Sequence, residues 1–294
     1  MSRASGKIKI EMEGCMSGGK GPYNDLYIYL IQGAVNSAEE GLFGEAFLGN
    51  WVEDDSSFLF FSKPSSEIVS GFLERHPALK PIDDYHFTYE QWQGGGLEPF
   101  RVEHIHVVPP WQSVSAADHE VEIILDPGVV FGTGLHPTTR NCLQAMVYLQ
   151  REYRWKGVVD LGTGTGLLAL AAVLLGGEEA LAVDLNPLCV RTARRNVSLN
   201  GLEQCVRVLG GDVLDFAEEP ADLVIANIHY DVMRKIFEIQ GFLQKERYIL
   251  SGLMRSQVRD IKALIRGKGL EVVREWDYEM TWYTLLVKGN GVME

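Results

Sequence analysis

The stretch Val158-Val-Asp160-Leu-Gly162-Thr-Gly164-Thr-Gly166-Leu-Leu168 sets a short apolar strand against three closely spaced glycines and then an apolar helix. Glycine lets a backbone turn sharply and approach a bound molecule closely. The start of the helix adds free backbone N–H donors at the same place. Asp184 follows twenty-two residues after Gly162, at the end of the next expected strand. A carboxylate there accepts hydrogen bonds from both hydroxyls of a ribose.

Outward from this turn, strands and helices alternate. Residues 121–125, 158–161, 180–184, 206–209, 223–227 and 247–251 read as strands, with 270–276 and 282–287 as the last two. Residues 138–150, 167–175, 187–200, 232–243 and 256–268 read as helices. The alternation predicts a parallel sheet covered on both faces and closed by an antiparallel edge. Before residue 93 the elements are short. Residues 26–31, 43–51 and 57–61 read as strands, 64–75 as a helix, and 84–92 as a strand or the start of a helix. That order predicts a small α+β domain. Gln93-Gly-Gly-Gly96 breaks the pattern, 102–108 alternates, and Pro109-Pro-Trp111 then stiffens the chain. The expected division is a flexible segment at 1–24 with a strand-like run at 7–13, a small domain at 25–92, a connection at 93–118 and a cofactor domain at 119–294.

Two further stretches carry chemistry. Asp126-Pro-Gly128-Val-Val-Phe131-Gly132-Thr133-Gly134-Leu135-His136-Pro137-Thr138-Thr139 places glycines around a phenylalanine and opens a helix with two threonines. Such a loop can wrap a small ligand, Phe131 covering it and a threonine hydroxyl donating to it. An N-capping threonine in an ordinary loop is the alternative. Ala226-Asn227-Ile228-His229-Tyr230-Asp231 ends a strand, where ligands sit in doubly wound sheets. The Asn227 amide oxygen can face an amine. His229 reads as a surface or capping residue before it reads as a base.

The glycine spacing separates two cofactors. A dinucleotide turn needs G-x-G-x-x-G; here it is G-x-G-x-G preceded by Asp160. That variant resembles the nucleoside-binding turn of class I S-adenosylmethionine methyltransferases. With the 126–139 stretch, Asp184-Leu-Asn-Pro187 and Ala226-Asn227-Ile228, the chain resembles the ribosomal large-subunit protein eleven methyltransferase family, PrmA. The likeness covers roughly residues 43–288 and runs upstream through Trp51, Phe60-Phe61 and Leu97-Glu-Pro-Phe-Arg101. It implies a Rossmann-like seven-stranded methyltransferase domain behind a small α+β recognition domain. The activity implied is S-adenosylmethionine-dependent methylation of lysine or N-terminal amino groups of a basic ribosomal protein. The cofactor residues it implies are Phe131, Gly132, Thr133, Gly134, Thr139, Asp160, Gly162, Gly164, Gly166, Asp184, Asn186 and Asn227; Asn227 and Tyr230 are the candidates at the acceptor.

Two departures stand out. Leu135 replaces a usual polar residue. Asn227-Ile-His-Tyr230 resembles the Asn-Pro-Pro-Tyr motif of enzymes acting on planar amines, so Tyr230 could stack on an acceptor. That leaves a methyltransferase acting on another protein or a small amine, or a non-catalytic nucleoside-binding module, as alternatives.

Composition narrows the rest. The 294 residues hold 27 Lys+Arg and 40 Asp+Glu, a net charge of −13. Residues 1–110 hold 8 and 16 of these, and so carry −8. This disfavours nucleic acid as a direct partner, which calls for a basic footprint, and suits a basic protein. Cys15, Cys142, Cys189 and Cys205 form no C-x-x-C pair, and Glu103-His104-Ile-His106 lacks further ligands, so no metal or disulfide is expected. The first seven residues lack the apolar core of a leader. The longest apolar run, 167–175, is nine residues against about twenty for a membrane span. The expected location is the cytoplasm.

Overall fold

The structure, a computed structural model, describes residues 23–53, 55–96, 98–112 and 120–290. The expected strand at 7–13 and Cys15 lie outside the described residues.

The small domain is a four-stranded antiparallel sheet of β1 (Asp25–Gln32), β2 (Phe47–Glu53), β3 (Ser56–Phe61) and β4 (Lys80–Thr88), ordered β2-β3-β1-β4. α1 (Ser66–Arg75) covers one face, packing Val69 and Phe72 on Tyr29, Ile31, Leu59 and Phe61. The expected strand at 43–51 starts later, because Ser37–Phe43 winds into a 3-10 helix capped by Asn36 and ended at Gly44. The single element expected at 84–92 is two. Thr88 and Gln91 form a capping box that ends β4 and starts α2 (Tyr89–Gln93).

The expected connection at 93–118 is more than a linker. β5 (Phe100–Val102) and β6 (Ile105–Val108) form a hairpin that turns at Glu103, whose φ is 54°. β6 then pairs in parallel with β7 (Val121–Ile124). Val102, Ile105, Val107 and Ile123 are buried in the core of the second domain, so the alternation read at 102–108 attaches this segment to it. His106 points the other way, fully buried, with neither ring nitrogen bonded. Residues 113–119 lie outside the described residues.

The second domain carries α3 (Pro137–Gln150), β8 (Gly157–Leu161), α4 (Leu167–Leu174), β9 (Glu179–Asp184), α5 (Pro187–Leu199), β10 (Val206–Gly210), β11 (Leu223–Asn227), α6 (Tyr230–Ile236), β12 (Arg247–Met254), α7 (Arg255–Gly267), β13 (Glu271–Tyr278) and β14 (Trp282–Lys288). Its seven strands run in the order β10-β9-β8-β11-β12-β14-β13. Pairing is parallel from β10 to β12, and β14 runs antiparallel between β12 and β13. This is the expected Rossmann-like α/β architecture. Val158, Ala180, Ala182 and Ile225 face α3, α4 and α5, while Val159, Leu161, Val183 and Val224 face α6 and α7. Both faces are buried, so the strands are continuous apolar runs. The helix expected at 232–243 is split into α6 and a 3-10 turn at Gly241–Gln244. The strand order reverses at β8, and the crevice beyond the carboxyl ends of β8, β9 and β11 is where such folds bind ligands.

Candidate active site

A cavity of about 620 Å³ fills that crevice. One wall is the turn after β8. Gly162, Gly164 and Gly166 have φ of 78°, 57° and 86°, which side chains rarely adopt. A Cβ on Gly162 would collide with Ile228, and one on Gly164 would lie 2.5 Å from the Phe131 carbonyl oxygen. The Gly162 and Thr163 N–H groups donate to the Val183 carbonyl at 2.9 Å, fixing the turn to β9.

Asp184 ends β9 on the cavity wall. Its carboxylate accepts from the N–H of Gly164 and of Asn186, both at 2.9 Å. Burial raises its proton affinity, and these two donors counter the rise. The Asn186 side chain caps α5 through the Leu188 N–H. Asp160 lies beneath the turn, fully buried and off the cavity wall, accepting from the Thr163 hydroxyl at 2.6 Å. Burial, reinforced by Asp184, pushes its carboxyl up to about 7, and its second oxygen has no partner.

The loop at 126–134 forms the facing wall. The Thr165 N–H donates to the Phe131 carbonyl at 3.1 Å and its hydroxyl to the Gly132 carbonyl at 2.6 Å. Phe131, 72% exposed, packs edge-on against Trp51 of β2 with ring centroids 5.4 Å apart. The small domain also grips the loop through the Tyr89 hydroxyl and the Gln93 amide, which donate to the Gly128 carbonyl at 2.5 and 2.8 Å. The Trp92 indole donates to the Val129 carbonyl at 3.2 Å. Asn196 of α5, fully buried, accepts from the Asp126 N–H and donates to the carbonyls of Asp126 and Thr165, each at 2.8 Å. It ties the two walls together.

At the far end Asn227 donates to the hydroxyls of Thr138 and Thr139 at 3.3 and 3.5 Å. The Thr138 hydroxyl lies 2.7 Å from His136 Nδ1, which also accepts from the Thr138 N–H as the cap of α3. Those contacts make Nδ1 the acceptor and leave the ring proton on Nε2. Burial lowers the affinity of His136 for a second proton. With the Asn227 N–H₂ occupied, its carbonyl oxygen is the end left to accept from an amine.

Of the residues expected at the cofactor, Phe131, Gly132, Thr139, Gly162, Gly164, Asp184, Asn186 and Asn227 line the cavity. Thr133, Gly134, Asp160 and Gly166 do not; they shape the walls from behind. Gly166 backs onto Ala193, where a Cβ would lie 3.2 Å away, and Gly134 onto Phe100. Tyr230 does not reach the cavity. It is the first residue of α6, and its hydroxyl donates to Asp260 of α7 at 2.6 Å. His229 faces solvent beside Asp231. The cofactor set implied by the resemblance left out Trp51, His136, Thr138 and the 71% exposed Leu185 on the wall, and Asn196 behind it. Asn196 did leave a signal, a polar residue on the apolar stripe of Cys189, Ala193 and Val197. The described cysteines are free, no group of three or more metal-ligating residues occurs among the described residues, and no described helix is long and apolar enough to cross a membrane.

The family model for ribosomal protein L11 methyltransferases (PrmA) matches residues 74–290. The chain is 38% identical to the ribosomal protein L11 methyltransferase of Geobacillus kaustophilus over 184 residues, which is 59% of this chain and 58% of that protein. It is 32% identical to the enzyme of that name from Brevibacillus brevis over 263 residues, 85% and 80% of the two chains. A crystal structure of ribosomal protein L11 methylase from Lactobacillus delbrueckii subsp. bulgaricus matches with a TM-score of 0.59 at 24% identity, covering 65% of this chain and 98% of that one.

Proposed function

Because the chain belongs to the ribosomal protein L11 methyltransferase family, we propose that it moves methyl groups from S-adenosylmethionine to lysine or N-terminal amino groups of ribosomal protein L11. The observation that carries this reading is the cavity itself. It joins a glycine turn, a strand-end carboxylate and an asparagine oxygen within one apolar-walled space of about 620 Å³.

The residues present fit the cofactor. Asp184, held by the Gly164 and Asn186 N–H groups, keeps lone pairs for the ribose hydroxyls. Leu185, Pro187 and Leu168 give the base apolar walls. Gly162 and Gly164 let the backbone approach, and Phe131 and Trp51 close the top. The bound sulfonium supplies an electrophilic methyl group.

The protein's own part is to place and dry the acceptor nitrogen. A free lysine holds its proton to about pH 10.4 and must lose it first. The apolar walls favour the neutral amine. The Asn227 carbonyl oxygen takes one amine hydrogen and aims the lone pair. Burial keeps His136 uncharged, so the adjoining wall adds no cation to repel the acceptor. No general base is needed, and Tyr230, bound to Asp260, has no part in the step. A basic protein partner without direct nucleic-acid contact, and a cytoplasmic location, belong to the same proposal.

The test is a transfer assay with methyl-labelled S-adenosylmethionine and total ribosomal protein, the labelled species being identified by mass spectrometry. Label is expected in ribosomal protein L11. Label confined to RNA or small molecules overturns the proposal.

A further inference from the structure

The hairpin that joins β13 to β14 lies at the Asn227 end of the cavity. Trp282 of β14 pairs with Met254 of β12 on one side and with Tyr278 of β13 on the other. Directly paired residues of antiparallel strands point to the same side, so the three form a row. The row lies on the face of the sheet that α3 covers farther down, where Tyr148 meets Trp276. Here the helix gives way to its capping residue, His136, which meets Trp282 edge-on with ring centroids 4.9 Å apart. Trp282 is half-buried, and Met254 and Tyr278 are exposed.

The row is continuous with the Asn227 oxygen. β12 bulges between Leu250 and Leu253, and Gly252 in the bulge has a φ of 83°. A Cβ there would lie 3.2 Å from Asn227 Oδ1, so glycine keeps that oxygen approachable. Met254 follows two residues later.

The tip of the hairpin is strained and held. Glu279 and Met280 both have φ of 52°, where glycine or asparagine ordinarily sits. The Thr281 N–H donates to the Tyr278 carbonyl at 2.9 Å and the Met280 N–H to the Asp277 carboxylate at 3.0 Å. The Tyr283 hydroxyl donates to the Met280 carbonyl at 3.2 Å. Such strain persists where the surroundings enforce it, and it gathers at ligand clamps. Its result here is a fixed turn that presents Met280, 65% exposed, to solvent.

Charge points to the occupant. Asp277 and Glu279 flank Tyr278 in sequence, and both are exposed. Aromatic and methionine side chains among carboxylates suit lysine and arginine, whose stems lie on apolar surface while their charged ends meet rings or acids.

We propose that the Met254–Trp282–Tyr278 row and the Met280 tip hold the segment of the basic protein substrate that carries the accepted amino group. Its basic neighbours lie along the hairpin while the amine reaches Asn227. This rests on the proposed activity toward ribosomal protein L11 and adds a contact made by the second domain.

Steady-state transfer to purified ribosomal protein L11 tests it, with calorimetry of S-adenosylmethionine binding on each variant to report an intact fold. Met254→Ser/Tyr278→Ser should raise KM about tenfold with cofactor affinity held. Glu279→Asn/Met280→Gly suits the left-handed turn and removes the tip, so it should raise Tm while raising KM about threefold. Val273→Ser removes an exposed apolar residue farther along β13 and should leave KM unchanged. An unchanged KM in either double variant, or an equal rise in Val273→Ser, overturns the hairpin contact while leaving the activity standing. A wild-type dimer that Met254→Ser/Tyr278→Ser dissolves assigns the row to a second copy and overturns it as well. A wild type that transfers nothing to ribosomal protein L11 overturns both proposals.

Discussion

Two walls face each other across the same cavity and are built by different means. The glycine turn at 160–166 is held by its own strand and its neighbour: three left-handed glycines, two bonds to the Val183 carbonyl and a carboxylate twenty-two residues on. The loop at 126–134 is held from outside. Trp51, Tyr89, Trp92 and Gln93 reach it from the small domain, and Asn196 from α5. One wall is local and rigid and carries an electrostatic cost beneath it. The other is a cover assembled from distant parts, so its grip can be loosened one contact at a time.

The largest expected effect tests the cost under the rigid wall. Asp160 titrates near 7 in the folded protein against an ordinary 3.8. The folded state therefore holds its proton more tightly than the unfolded chain. From about pH 4 to about pH 7 this group removes stability as pH rises, on the order of 4 kcal/mol at most. Asp160→Asn should match wild type near pH 4 and exceed it increasingly toward pH 7.5 in urea unfolding. A stability difference that stays flat across this range would show that Asp160 is not held neutral. The cover, with no comparable buried acid unpaired, should add no such slope.

Asn196→Ala attacks the joint between the walls. It leaves a buried N–H and two carbonyls without partners, for a loss of about 3 kcal/mol in unfolding free energy. Cofactor affinity should fall with it, since the walls lose their common reference. Stability reduced with affinity intact would mean that the two walls are set independently.

Asp184→Ala removes the proposed ribose partner, and does so on the glycine-turn wall alone. Calorimetry should record a loss of about 1.5–3 kcal/mol in S-adenosylmethionine binding, the scale of hydrogen bonds to a charged group. Full affinity in this variant would remove Asp184 from the cofactor site.

The same contrast explains what the sequence disclosed. The rigid wall was legible because each constraint lies within one strand–turn–helix unit and one spacing: Gly162, Gly164, Gly166 and Asp184 are read without knowing what lies across the cavity. Phe131 and Gly132 were legible as a loop, but not what holds them. Trp51 is eighty residues from Phe131, and no periodicity records a pairing between domains. Tyr230 misled for a related reason. An aromatic residue just after a strand-end asparagine suggests stacking, but α6 begins at Tyr230 and turns the ring toward Asp260 on α7. The glycines at 94–96 marked a break, and soon after it Val102, Ile105 and Val107 are buried in the same core as Val158 and Leu167, a contact that no local spacing records.

The smallest effect belongs to the tip of the cover. Trp51→Ala deletes one edge-on aromatic contact, worth about 0.5–1.5 kcal/mol beyond its buried area. The base of the loop keeps its bonds to Tyr89, Gln93, Trp92 and Asn196, and its middle keeps both bonds from Thr165. Phe131 gains freedom, so cofactor affinity should fall by about two- to twelvefold and Trp51→Phe should restore most of it. The dissociation rate should carry the change, because a looser lid lets bound cofactor out more easily than it hinders entry. A loss as large as that of Asp184→Ala would mean that the cover hangs on this single ring pair rather than on many contacts, and the difference between the two walls would then be one of position alone.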